Sequence, residues 1–153
     1  MFASLYEWLK FLHIVAAMVW LGGAVALGLF SILSLRSRRP DAVTRFVGML
    51  RVAGPALFIP PMALVLGLGI WMVVDGGWGF GPTWIKLALV LFAAAFVVGA
   101  GFQSRTAILA ERAVAAGDPE ETARQLRRWS WGMSLILLLL LVVTWDMVFK
   151  PGV

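Results

Sequence analysis

The chain has 153 residues, of which 61% are hydrophobic and only 14% are charged. Soluble domains are roughly 45–50% apolar, so a mean hydropathy of +0.92 excludes an ordinary soluble domain and a disordered chain. Because cysteine is absent, disulfides, thiolate nucleophiles and zinc–thiolate sites are also excluded. A single histidine excludes a metal site built from several histidines of one chain. The composition predicts a single membrane domain over residues 1–153.

Four stretches are long and apolar enough to cross a bilayer, which takes about 20 residues. The first carries no basic segment before its apolar run, so we expect a retained helix rather than a signal peptide. The sequence therefore predicts an all-α, polytopic four-transmembrane-helix bundle. The predicted spans cover about residues 8–35, 52–74, 84–102 and 131–149, and the loops cover 36–51 and 105–128.

The basic residues are divided unequally between the two sides of this bundle. All ten arginines lie in the loops 36–51 and 105–128, whereas the opposite side carries only Lys10, Lys86 and Lys150. By the positive-inside rule, both arginine loops are cytoplasmic and both termini are outside, in a bacterial inner membrane. The pI of about 10.8 then reflects topology and attraction to anionic lipid at the cytoplasmic face. We expect no nucleic-acid partner.

The loops contain recognisable helix starts. Residues 41–51 predict a short amphipathic helix on the membrane surface, capped by Asp41. Asp118 and Pro119 predict the start of the last helix before it enters lipid, with Glu121 at the position of a capping box. Other predicted helix boundaries are Gly76-Gly77, Pro82 and Pro151.

The second span contains prolines in its interior. Each of Pro55, Pro60 and Pro61 removes a helical hydrogen bond and clashes with the carbonyl four residues earlier. A freed carbonyl is costly in lipid, so it should face protein, water or a ligand. We expect a bend near Pro60 and Pro61 that borders a cavity of the bundle; an ordinary packing kink is the alternative.

The first span carries the only histidine. Tyr6, Lys10, His13, Ala17 and Trp20 recur at helical spacing and share one face. Ionisable residues within a span usually face the bundle interior or a water-filled cavity. We therefore expect His13 to point inward, either as a hydrogen bonder between helices or as a ligand or proton-handling group.

Lys86 opens the third span at about the depth of His13. With Lys10 it gives a layer of up to three positive groups and no buried acid, which suits a carboxylate-bearing ligand. Snorkelling of both lysines toward the interface is the alternative. Methionines in the spans are either core filler or ligand candidates: Met18, Met62 and Met72.

The segment Lys10-Phe-Leu-His13-Ile, followed by Trp20 and Gly22-Gly23, resembles the first helix of a superfamily of small bacterial membrane proteins. That superfamily includes the copper-resistance D family and the HemJ-type protoporphyrinogen oxidases. The chain most resembles a third member, a family of four-helix integral membrane proteins of unknown function. Further matching positions follow in the expected order: Gly54-Pro55, Trp84, Lys86 and Phe149-Lys150-Pro151.

The resemblance implies a four-helix bundle that binds haem b or a related porphyrin, with His13 as the metal ligand and Lys86 as a contact to a carboxylate. The HemJ-type pattern has an arginine near Leu29 and histidines near Ser34 and Val97, all missing here. The candidate cofactor-binding residues are His13, Lys86, Lys10, Trp20 and Met62.

Four functions follow from these observations. The first is haem or porphyrin binding with a redox or porphyrin-related role, the second iron ligand coming from a homodimer's other His13 or from a methionine. The second is a HemJ-like oxidase. The third is a non-enzymatic subunit that packs against a partner membrane protein. The fourth is a transporter, which would need an oligomer.

Overall fold

The computed structural model describes residues 4–152, which form helices joined by short turns and, within that range, no strand. The third helical region is continuous from Thr83 to Ala115 and contains a wider, π-helical turn. Four long apolar helices therefore confirm the predicted all-α membrane bundle. The elements are α1 Leu5–Arg36, α2 Pro40–Asp75, α3 Thr83–Val97, the π-turn Val98–Gln103, α4 Ser104–Ala115 and α5 Pro119–Phe149.

The prediction of a separate surface helix over residues 41–51 is wrong. This segment is the first third of α2, and Arg39 rather than Asp41 occupies the capping position. Asp41 instead pairs with Arg45 at 2.8 Å. The apolar face of the segment packs onto α5, where the rings of Phe46 and Trp129 are 6.0 Å apart. The buried residues of this segment therefore contact protein rather than the lipid surface: Val43, Phe46, Val47 and Leu50.

The predicted start of α5 is confirmed. Asp118 caps the helix by accepting a hydrogen bond from the Glu121 backbone N–H at 2.9 Å, and Pro119 is the first helical residue. The Glu121 carboxylate does not complete a capping box by accepting from the Asp118 backbone N–H. It accepts a hydrogen bond from Gln125 Nε2 at 2.6 Å and pairs with Arg124 instead. The other predicted boundaries also hold: Gly76 ends α2, Pro82 precedes α3 and Pro151 follows α5.

The third helix does not end at residue 102 as predicted. The π-turn Val98–Gln103 carries it into α4, with the Ser104 hydroxyl donating to the Gly99 carbonyl at 3.2 Å. Residues 104–115 contain four alanines and two arginines, which favour helix. The polar composition that indicated a loop therefore belongs to the solvent-exposed end of a helix.

Small residues decide how the helices pack. Gly23 of α1 faces Leu57 of α2, and Gly28 faces Met133 of α5; a Cβ at either glycine would lie 3.3 Å from its neighbour. Such close approach is the usual function of glycine between membrane helices. The Ser31 hydroxyl also lies 2.8 Å from that of Ser130. Helix α1 is thereby held between α2 and α5.

The backbones of α2 and α3 stay apart, although Val73 of α2 packs with Trp84 and Ile85 of α3 at one end of the two helices. No Cα of α2 comes within 8 Å of a Cα of α3, although α2 contacts α4 and α3 contacts α5. We call the gap between these two helices the α2–α3 cleft; α1 and α5 close it on one side. Helical structure continues through Pro55, Pro60 and Pro61, and the expected bend stays a prediction. A cavity lies beside this segment and is lined by Pro55, Ile59 and Met62, but neither Pro60 nor Pro61 lines it, so a cavity bordered by the bend also stays a prediction.

Candidate functional site

The α2–α3 cleft contains two cavities. The smaller, which we call the His13 cavity, has a volume of about 100 Å³. The larger, which we call the Gln103 cavity, has a volume of about 590 Å³. The His13 cavity is lined by residues that include Tyr6, His13, Gly69, Trp84, Phe92 and Met147.

His13 is half-buried and its imidazole faces α2. A Cβ at Gly69 would lie 3.2 Å from His13 Cε1, so the glycine makes room for the ring. The Val65 carbonyl lies beside the imidazole. The Nδ1 atom is buried and has no hydrogen-bond partner among residues 4–152. The histidine therefore points into the bundle, as its helical face predicts.

An aromatic and charged cluster lies above the His13 cavity. Trp78 and Trp84 line the cavity and contact each other edge-on, with ring centroids 5.9 Å apart. Lys150 Nζ lies 5.1 Å from both ring centroids, a favourable arrangement for a cation. Nearby on α5, the Asp146 side chain is fully buried, and neither of its oxygens has a hydrogen-bond partner in the described part of the chain.

The Gln103 cavity is large and mostly apolar. It lies between the middle of α2 and the π-turn, with α1 and α5 contributing Trp20, Trp129 and Ile136 to its floor. Its volume is within the range of roughly 300–1,000 Å³ that is usual for small-molecule sites. Other lining residues include Gly54, Phe58, Met62, Phe96, Gly99 and Gln103.

Gln103 is the polar centre of this cavity. Only 6% of the residue is exposed, and neither Nε2 nor Oε1 has a hydrogen-bond partner among the described residues. A Cβ at Gly132 would lie 2.7 Å from Oε1, so the amide is fixed closely against α5. Leaving a buried donor or acceptor unpaired costs about 1–3 kcal/mol. Each of these two atoms has less than 1 Å² of accessible surface, so the amide faces α5 rather than the open part of the cavity.

Two opposite charges line the same cavity. Arg51 comes from α2 and Glu111 from α4, and Ser104 adds a hydroxyl between the π-turn and α4. The formal charges of Arg51 and Glu111 cancel. The polar part of the cavity is therefore suited to a neutral group rather than to an anion.

The structure separates the residues that the sequence grouped into one site. His13 lines one cavity, whereas Trp20 and Met62 line the other. Lys10 and Lys86 are exposed and line neither cavity. The layer of positive charge expected around His13 is therefore not part of the cavity that His13 lines.

Sequence reasoning missed Gln103. The predicted third span ended at residue 102 and the predicted loop began at residue 105, so the glutamine was assigned to neither. The available signal was the run Gly99-Ala-Gly101-Phe-Gln103, in which two glycines loosen a helix beside a lone amide. The π-turns of membrane and soluble helices are frequent at functional sites.

The resemblance implies a haem, and the His13 cavity does not fit one within a single chain. Its volume of about 100 Å³ is below the usual range for cofactor sites. The His13 ring is also packed against Gly69. Residues 4–152 bring together no group of three or more His, Asp or Glu that could hold a metal ion. Haem b at His13 stays a prediction from the sequence.

Four apolar helices around a cleft that is open between two of them define a polytopic integral membrane protein. The chain belongs to the family described as "Predicted integral membrane protein (DUF2269)", whose model matches residues 7–151. No curated protein and no solved structure matches the chain.

Proposed function

We propose that this protein is a membrane-embedded binding protein, which takes up a neutral, amphipathic, lipid-soluble molecule from the bilayer through the α2–α3 cleft. The observation that carries the proposal is the Gln103 cavity. It combines a ligand-sized volume and a mostly apolar lining with a few polar side chains, Arg51, Ser104 and Glu111. Sites for small molecules usually have this composition, with a few polar groups that fix orientation.

The position of the cavity favours entry from lipid. The backbones of α2 and α3 stay more than 8 Å apart, so the gap between them faces the hydrocarbon region. Ile59 and Phe96 line the cavity and are also exposed at its edge. An apolar tail can lie between these side chains while the polar group lies toward Ser104.

The other functions inferred from the sequence relate to this proposal in different ways. A non-enzymatic role beside a partner membrane protein, or in a homodimer, is compatible with ligand binding and stays a prediction. Haem binding, a HemJ-like oxidase activity and the wider relation to copper-resistance D proteins also stay predictions. So do the bacterial inner-membrane location and the attraction of the arginine loops to anionic lipid. We propose binding rather than catalysis because the lining of the Gln103 cavity is mostly apolar.

A photoreactive probe tests the proposal. The protein is reconstituted into neutral phospholipid bilayers with a long-chain alcohol that carries a diazirine, and cross-links are mapped by mass spectrometry. We expect labelling of the cavity walls on α2 and on the π-turn Val98–Gln103. Gly54→Leu should abolish this labelling, because a Cβ at Gly54 meets nothing within 4 Å and the leucine can fill the cavity.

Gly67→Leu is the matched control. Gly67 is also on α2 and has open space around it, but it lines neither cavity. Its labelling pattern should equal that of the wild type. Labelling spread evenly over all lipid-facing residues, and unchanged in Gly54→Leu, would show that the cavity takes up no amphiphile from the bilayer.

A further inference from the structure

We infer that the loop formed by residues 76–82 is a lid over the His13 cavity, and that Lys150 is the latch that holds this lid closed. The inference concerns a different cavity from the one to which we assign a ligand, so it stands or falls independently of the proposed function. Three observations lead to it: the position of the loop, the contacts that hold it and the backbone conformation of Lys150.

The loop 76–82 forms part of the wall of the His13 cavity. It joins α2 to α3, and two of its aromatic side chains, Trp78 and Phe80, line the cavity. Both residues also remain exposed. A side chain that lines a cavity and is also exposed lies at the rim of that cavity. The loop therefore separates the His13 cavity from its surroundings at the end of the bundle where α3 begins.

The backbone of this loop is held by few hydrogen bonds. Gly77 and Gly79, on either side of Trp78, have φ angles of 66° and 63°. Glycine adopts this left-handed conformation readily, and small residues often absorb the motion of a lid. The Trp78 N–H donates to the Val73 carbonyl at 3.2 Å, but residues 79–81 form no backbone–backbone hydrogen bond within the described part of the chain. The closed position of the loop therefore depends on side-chain contacts.

One ammonium group fastens the loop to the helices. Lys150 Nζ lies 5.1 Å from the ring centroid of Trp78 and 5.1 Å from that of Trp84. A cation attracts aromatic rings at this distance, and the attraction is stronger where water is excluded. Trp78 belongs to the loop, Trp84 belongs to α3, and Lys150 directly follows α5. These contacts therefore join the loop to two helices.

The backbone of Lys150 has an unusual conformation. Its φ of 45° and ψ of 61° are left-handed, which is uncommon for a residue with a side chain. The next residue is Pro151, and a residue before proline favours extended conformations instead. The turn directs the chain toward α3, where a Cβ at Gly152 would lie 3.2 Å from Thr83 Oγ1. Glycine would suit this turn better than lysine, but only a cationic side chain can latch the lid.

The latch controls a route to the only histidine of the chain. His13 lines the cavity beneath the loop. When the loop opens, a small molecule can reach the imidazole from the end of the bundle where α3 begins, without passing through the Gln103 cavity. Movements of this kind regulate access to many enclosed sites.

Chemical modification of His13 tests the inference. The untagged full chain is placed in nanodiscs of neutral phospholipid and treated with diethyl pyrocarbonate, and the ultraviolet absorbance of carbethoxyhistidine is followed. The single histidine makes the signal specific. Lys150→Gly should raise the rate constant of modification roughly tenfold, which corresponds to about 1.4 kcal/mol of lost contact with the two indoles.

Lys150→Gly also keeps the test independent of folding. Glycine favours the left-handed turn at this position, so the variant should melt close to the wild type. Lys150→Arg retains a cation beside the rings and should react at the wild-type rate. Lys86→Ala is the matched control. Lys86 is at the same end of α3 as Trp84, but it is exposed and lines neither cavity, so its rate should also equal that of the wild type.

A spin label reports the movement of the loop directly. The chain has no cysteine, so Gly81→Cys gives a single labelling site on the loop, where a Cβ meets nothing within 4 Å. Adding Lys150→Gly should increase the mobility of this label, whereas adding Lys150→Arg should not. A label at Gly48→Cys, which is also in open space but lies on α2, should be unaffected by either change.

Three outcomes would overturn the inference. The first is an equal rate of His13 modification in the wild type and in Lys150→Gly, which would show that Lys150 does not limit access. The second is a rate in Lys150→Arg as high as that in Lys150→Gly, which would show that the cation is not the latch. The third is faster modification in Lys150→Gly with no change in the mobility of the label at residue 81, which would place the opening elsewhere.

Discussion

The indole of Trp20 contacts the phenyl ring of Phe92 edge-on, with centroids 5.7 Å apart and the rings inclined at 65°. Trp20 lines the Gln103 cavity and Phe92 lines the His13 cavity, so this pair is the partition between them. One pair of side chains therefore divides the α2–α3 cleft into a small site beside a histidine and a large site beside an amide.

Removing the partition should both destabilise the bundle and join the cavities. Trp20 is 5% exposed, and truncation of a buried tryptophan to alanine costs about 3–5 kcal/mol. We expect Trp20→Ala to lower the melting temperature in detergent and to extend labelling by the diazirine alcohol into the His13 cavity. Trp131→Ala is the control, since Trp131 is 78% exposed. Equal effects of the two substitutions would contradict the partition.

The spans and helix ends were predictable from the sequence because their causes are local. Hydropathy over 20 residues defines a span, and the Asp118-Pro119 pair defines a start that the structure confirms. The α2–α3 cleft was not predictable, because it depends on which pairs of helices bring small residues together. Gly23 and Gly28 direct α1 toward α2 and α5. No residue pattern in the sequence indicates that the backbones of α2 and α3 stay apart.

The site was only partly predictable for a similar reason. His13 was identified because an ionisable residue in a span violates a general rule. Gln103 is a polar residue inside a helix of the bundle, but this is evident only once the third helix is known to continue past residue 102. Lys86 was identified because it is an ionisable residue at the start of a predicted span. In the structure its side chain is exposed and lines neither cavity.

The hydrogen bond between Ser31 and Ser130 should make a small, measurable contribution to the α1–α5 interface. Hydrogen bonds between membrane helices contribute about 0.6 kcal/mol on average. We expect Ser31→Ala to lower the free energy of unfolding by that order, measured by steric trapping in bicelles. Ser134→Ala should have almost no effect, because Ser134 is exposed and its hydroxyl donates only to the Ser130 carbonyl of its own helix. A larger loss for Ser134→Ala would refute the argument.

Absorption spectroscopy decides the haem prediction. The resemblance predicts that protein purified with added haem has a Soret band that His13→Ala abolishes. The small volume of the His13 cavity makes us expect no such band from a single chain. A band that appears only in a dimeric fraction, and is lost in His13→Ala, would support ligation by two His13 residues. A band unaffected by His13→Ala would assign the iron to another ligand.

Reporter fusions test the orientation inferred from the arginines. Alkaline phosphatase fused to the carboxyl terminus should be active, whereas green fluorescent protein fused there should be dark. The opposite pattern is expected for insertions in the turn 116–118, which joins α4 and α5 on the arginine-rich side. A fluorescent carboxyl-terminal fusion would reverse the predicted topology, with the arginine loops outside.

The close contact between Gly132 and Gln103 gives the last prediction. A Cβ at Gly132 would lie 2.7 Å from Gln103 Oε1 and 2.7 Å from Phe102 Cδ1, so one or both side chains must move in Gly132→Ala. The amide is the end of a flexible side chain and can shift without unfolding the helix. We expect Gly132→Ala to remain folded and to weaken labelling of the cavity walls by the diazirine alcohol several-fold, because the displaced Gln103 side chain can move into the cavity that it lines.

Gly101→Ala is the control for this substitution. Gly101 is in the same π-turn as Gln103, but a Cβ there meets nothing within 4 Å. Alanine favours helix over glycine by about 1 kcal/mol, so the protein should be as stable as the wild type or slightly more stable. Its labelling by the diazirine alcohol should not change. Unaltered labelling in Gly132→Ala would show that contact with Gly132 does not set the position of the amide.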